Sequence, residues 1–172
     1  MKQALLPALL AASAWLVSTP AAAVDSDRSF FQNATGACQS ALPAYEGLVR
    51  KRPLTLQNEG SGAAFISCSL MGTTKGTYDI RSIRDVSVAF VNNRSSGDVT
   101  VSCTLVSGIA NFGEGYVTKS VTLIAGALDV VTWDVSDNGG LGFEYAGNVS
   151  CMLPPGAGIA YTLSNYGVDV GE

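Results

Sequence analysis

The chain holds 172 residues, with ten Lys and Arg against fourteen Asp and Glu, a net charge of −4, and no histidine. An acidic chain is a poor partner for nucleic acid or an anionic membrane, because both reward a basic surface. Without histidine the chain lacks the usual general base at neutral pH, the commonest zinc ligand and every Ser-His or Cys-His pair.

The N-terminal residues divide into the three parts of an export signal. Lys2 supplies the positive end, Ala4 to Val17 an apolar run, and Ala21 and Ala23 the small residues that signal peptidase needs at −3 and −1. The expected cut follows Ala23. The apolar run is short for a bilayer span, which needs roughly 20 residues, and an acidic stretch, Val24 to Asp27, follows it rather than a basic stop-transfer cluster. Export as a secreted or periplasmic protein, without stable membrane insertion, is the expectation. Cleavage leaves 149 residues, 24–172, and removes one lysine and no acid, so the net charge becomes −5. A chain of that size builds one domain with a real core.

The mature part then reads as β-structure. Asp25 to Gln57 is the least regular region, with an entry strand near Phe30, a loop through Pro43 and a strand at Leu54 and Leu56. After it, apolar and polar residues alternate in short runs. Ala64, Ile66, Cys68 and Leu70 share one face, then Val86, Val88 and Phe90, then Val99, Val101, Cys103 and Leu105. Val121 and Leu123 follow, then Val131, Trp133 and Val135, and finally Val149, Cys151 and Leu153. Turn signals separate the runs at Gly72 to Gly76, Asn92 to Asp98, Gly113 to Gly115, Gly126, Asp137 to Gly140 and Pro154 to Gly158. Eight or nine short strands with no long helical pattern predict an all-β fold: a two-sheet antiparallel β-sandwich, immunoglobulin-like or jelly-roll-like. Trp133 is too far from the first core cysteine for a true immunoglobulin pattern.

Four cysteines, Cys38, Cys68, Cys103 and Cys151, all follow the expected cut. None has C-x-x-C spacing, so in an exported chain they read as two disulfides. The strands favour Cys38–Cys68 and Cys103–Cys151 among the three possible pairings, closing loops of about 30 and 48 residues. In the three Cys-bearing runs the sulfur falls on the apolar face, and the bonds are expected to lock the stacked layers together.

Candidate sites are few. Arg50, Lys51 and Arg52 form the one basic cluster, suited to an acidic partner, a phosphate or a polyanionic glycan, or else a solvated loop. Tyr145, Tyr161 and Tyr166 are the best candidates for an exposed sugar-stacking platform, whereas the parity of Trp133 places it in the core. Asp134 to Gly139 opens like a calcium loop, but position twelve is Tyr145 where a bidentate Glu belongs, so a turn is expected and no metal. Glu46, Glu59, Glu114 and Glu144 lack any motif that would pair two of them for glycan hydrolysis. Lys119 has apolar parity, which fits an edge strand or a bulge.

The stretches Cys38 to Pro43, Arg50 to Gly60, Asn148 to Gly156 and Asp169 to Glu172 resemble a group of small uncharacterised secreted bacterial proteins. The resemblance implies export and a β fold, and brings no activity with it. The residues themselves point to a non-catalytic binding or structural module without a cofactor, with a protein or glycan partner and scope for self-association. The alternatives are an exported carboxylate-dependent, glycan-directed hydrolase and an inhibitor of a secreted enzyme.

Overall fold

In each regular run, β-branched and apolar side chains alternate with Ser, Thr and Asn, a pattern that gives a pleated strand one dry face and one wet face. In the structure, a computed structural model, residues 25–72, 82–109, 112–144 and 147–169 are described. The expected export segment, residues 1–23, and Tyr145 lie outside these residues. The elements run β1 (Asp25–Asn33), α1 (Ala34–Ala37), β2 (Cys38–Ser40), β3 (Val49–Arg52), β4 (Thr55–Asn58), β5 (Ala64–Ser69), β6 (Ile83–Asn92), β7 (Val99–Ile109), β8 (Phe112–Leu123), β9 (Leu128–Asp134), β10 (Gly147–Leu153) and β11 (Ala157–Asp169). Short 3₁₀ turns occupy Pro43–Tyr45 and Val135–Asn138.

The strands form two antiparallel sheets, the expected sandwich. Sheet A has the order β3-β4-β11-β6-β9, with β1 also paired to β11; sheet B has the order β2-β5-β10-β7-β8. The chain crosses repeatedly between sheets, as in a jelly roll. The alternation read from the sequence sets the inward faces: Ile66, Cys68, Val86, Val88, Phe90, Val101, Trp133, Val149, Cys151 and Leu153 are all buried. Val135 departs from this pattern, because it leaves β9 for the 3₁₀ turn and is exposed. Gly113 to Gly115, expected as a turn, lies within β8. The basic run expected as a loop is strand β3, and β2 and β3 bring the number of strands above the eight or nine expected.

Both disulfides join the favoured partners, Cys38–Cys68 and Cys103–Cys151. Their placement corrects one expectation. Cys38 lies directly opposite Cys68 on β2 and β5, and Cys103 opposite Cys151 on β7 and β10, so each bond links neighbours within sheet B. Neither connects the two layers.

Buried polar clips make that connection in addition to the core. Asn58, at the end of β4 in sheet A, donates to the Leu153 carbonyl of β10 in sheet B at 2.8 Å. Asn92, at the end of β6, donates to the Leu123 carbonyl of β8 at 3.1 Å. Trp133 Nε1 of β9 donates to the Val117 carbonyl of β8 at 2.9 Å. Lys119 resolves its parity in the same way. It sits on the inner side of edge strand β8, where its Nζ reaches the Thr132 carbonyl at 2.8 Å and Asp137 Oδ2 at 2.6 Å.

Candidate binding surfaces

The basic cluster does not act as one patch. Strand alternation divides it, because Lys51 pairs with buried Leu56 on the inner side whereas Arg50 pairs with Gln57 on the outer side. Arg52 is committed to Glu59, with Nε and Nη2 on the two carboxylate oxygens at 2.6 and 2.8 Å. This hydrogen bond, with the attraction of the carboxylate, raises the Arg52 pKa further above its ordinary value. Arg50 Nη1 donates to the Glu46 and Val49 carbonyls at 3.3 and 3.0 Å. Lys51 alone faces a cleft.

That cleft, of about 390 Å³, opens along the seam between β2 of sheet B and β3–β4 of sheet A. Val49 and Leu56 form its buried floor and Pro43 a wall. Gln39, Ser40, Glu46 and Lys51 supply its polar lining.

The tyrosines separate as well. Tyr166 pairs with buried Ile83 and packs against the core. Tyr161 pairs with Ala89, on the outer side of sheet A, and its ring lies on that of Phe31 at a centroid distance of 4.8 Å and a tilt of 35°. Phe31 is 61% exposed. It was legible in principle: in a strand, neighbouring Phe30 and Phe31 must point to opposite faces, so one of them is wet.

Polar groups flank the two rings in register. One row across the sheet reads Asn33–Tyr161–Ala89–Val130, the next Phe31–Leu163–Ser87–Thr132, and the third Ser29–Asn165–Asp85–Asp134. In the third row Ser29 Oγ donates to Asn165 Oδ1 at 2.5 Å, and Asn165 Nδ2 donates to Asp85 Oδ1 at 2.7 Å. In the second, the Ser87 and Thr132 hydroxyls are 2.8 Å apart. These bonds orient the side chains and leave acceptor lone pairs free on the carboxylate and hydroxyls.

The calcium-like segment is a turn. Asp134 Oδ1 accepts from the Ser136 backbone N–H at 2.7 Å, and the Asp134 backbone N–H donates to Asp137 Oδ2 at 2.9 Å. Gly139 closes the turn at φ +66°, a conformation that favours glycine. The Ser136 hydroxyl and backbone N–H, with Lys119 nearby, hold the Asp134 carboxyl below the usual carboxylate range. Among the described residues no group of three or more metal-ligating side chains forms. Of the four candidate glutamates, Glu59 is committed to Arg52, Glu46 faces the cleft and Glu144 is buried.

No family model and no curated protein matches the chain. Solved structures with a similar arrangement of strands include CBM35 from Paenibacillus barcinonensis, at 6% identity and a TM-score of 0.46 over 77% of this chain and 95% of that one. CBM27-1 of Caldicellulosiruptor saccharolyticus, in complex with mannohexaose, has 12% identity and a TM-score of 0.44 over 83% and 97%. The family 11 carbohydrate-binding module of Clostridium thermocellum, in complex with a mixed-linked tetrasaccharide, has 12% identity and a TM-score of 0.36 over 82% and 86%. At these values the likeness is one of general architecture.

Proposed function

We propose that the chain is an exported, non-catalytic binding module whose outer sheet-A face holds a neutral glycan. The observation that carries this reading is the Phe31–Tyr161 ring pair, with Phe31 exposed and Tyr161 half-buried, beside oriented hydroxyl, amide and carboxylate groups. Sugar rings present an apolar C–H face and a rim of hydroxyls. Aromatic rings next to fixed acceptors complement both parts. Asp85 and Asp134 in the same row favour a neutral sugar over a polyanion. The disulfides support folding in an oxidising compartment, in keeping with the N-terminal export signal.

The test is calorimetric titration with neutral gluco-, manno-, xylo- and galacto-oligosaccharides. Binding of at least one of them is expected, with Phe31→Ala and Tyr161→Ala each weakening it roughly tenfold, or about 1.4 kcal/mol. No binding up to about 10 mM of any oligosaccharide, or affinity that both variants keep, refutes the reading.

A second reading is self-association by strand exchange. β1 lies along β11 with Asp27, Arg28, Ser29 and Phe31 all exposed, so few buried side chains hold it in place. Oligomers growing during prolonged incubation, followed by light scattering, would support this reading, and a persistent monomer refutes it.

A further inference from the structure

The seam cleft stands apart from the ring platform. Its four polar lining residues, Gln39, Ser40, Glu46 and Lys51, bring an amide, a hydroxyl, a carboxylate and an ammonium group to a single opening. Among the described residues none of these side-chain groups makes a hydrogen bond or an ion pair. Lys51 and Glu46, although of opposite charge, are not within ion-pair distance of each other. A ligand entering the cleft therefore gains all four groups without breaking contacts inside the protein. The floor under them, Val49 and Leu56, is apolar and buried.

We infer that this cleft binds a small zwitterion of the α-amino-acid type, its carboxylate toward Lys51, its ammonium toward Glu46 and its aliphatic side chain over Val49 and Leu56. The volume of about 390 Å³ falls at the lower end of the range of small-molecule sites. The charges select among ligands. A neutral sugar would hydrogen-bond both ionic groups but bring no charge to compensate either, so it gains less here than a ligand carrying both signs. A simple carboxylate would satisfy Lys51 and meet Glu46 as a like charge, and a simple amine would do the reverse. A molecule carrying both signs satisfies both groups. Gln39 and Ser40 supply further donors and acceptors.

The test uses the whole mature protein, isotopically labelled, with amide resonances followed during titration with L-leucine. Saturable shifts confined to residues 39–56 are expected at millimolar leucine. 3-Methylbutan-1-amine and 4-methylpentanoate, which each keep one charge, should bind at least tenfold more weakly. Lys51→Met and Glu46→Gln should each weaken leucine about tenfold and leave the thermal melting curve in place, because neither side chain has a partner to lose. Phe31→Ala should leave leucine binding unchanged, which separates this site from the glycan platform. Absence of shifts with leucine overturns the inference. So does equal affinity for the one-charge analogues, or stronger binding of glucose or glucuronate than of leucine in the cleft.

Discussion

Removing the Asn58 amide tests whether buried polar clips, in place of disulfides, join the two layers. Asn58 is wholly buried. Its Nδ2 donates to the Leu153 and Gly62 carbonyls, both at 2.8 Å, and its Oδ1 accepts from the Gly60 N–H at 2.9 Å. In Asn58→Ala the Gly60 N–H keeps its bond to the Leu48 carbonyl. The Leu153 carbonyl, in the buried interior, loses its inter-sheet donor. Leaving such an acceptor unsatisfied costs roughly 1–3 kcal/mol, and losing the bond to Gly62 adds about 1. The cavity left by the amide brings the expected loss to roughly 3 kcal/mol, a large part of the roughly 5–15 that holds a domain folded. Urea unfolding of the oxidised protein, followed by circular dichroism, measures it. Asn93→Ala is the control, since Asn93 is exposed and, among the described residues, its side-chain amide bonds only the Gln57 side chain, so a change within about 0.5 kcal/mol is expected. If Asn58→Ala costs less than about 1 kcal/mol, or no more than the control, the clip argument fails.

Two further perturbations follow from the same structure. Replacing Cys103 and Cys151 with Ala opens a separation of 48 residues and replacing Cys38 and Cys68 one of 30; chain entropy then predicts losses of roughly 4 and 3.5 kcal/mol, and the reverse order in denaturant unfolding would show that loop length does not govern them. The Asp134 carboxyl, held low by Ser136, stabilises the fold when ionised: its contribution is complete above the usual carboxylate range and disappears as pH falls through the lowered folded value. Asp134→Asn should therefore flatten the fall of melting temperature below about pH 4, and parallel acid limbs for the two proteins would refute the assignment.

Local alternation made most of the strands readable. From Ala64 onward the apolar runs kept their register in the sandwich except at Val135, because burial fixes which parity faces inward. Those shared parities also brought the paired cysteines together. β3 was hidden because its residues after Val49 are all charged, so an exposed edge strand showed no hydrophobic period. The ring pair was half-visible: Tyr161 was a candidate, whereas Phe31 gained its role through pairing with β11, 130 residues further along the chain. Glu46 read as surface charge and is exposed; only the seam between β2 and β3, from different sheets, puts it in the lining of the same cleft as Lys51.

By itself the sequence marked most of the strands with their wet and dry faces and favoured one sulfur pairing among three, since these depend on side-chain period and on which residues prefer to be dry. Tertiary structure alone decided that both cross-links stay within one layer, that Asn58 and Asn92 fasten the layers, and that the basic triplet splits over two faces. Those outcomes depend on which distant strands become neighbours. Non-local pairing is set by the packing of the whole core, and no short window of residues records it.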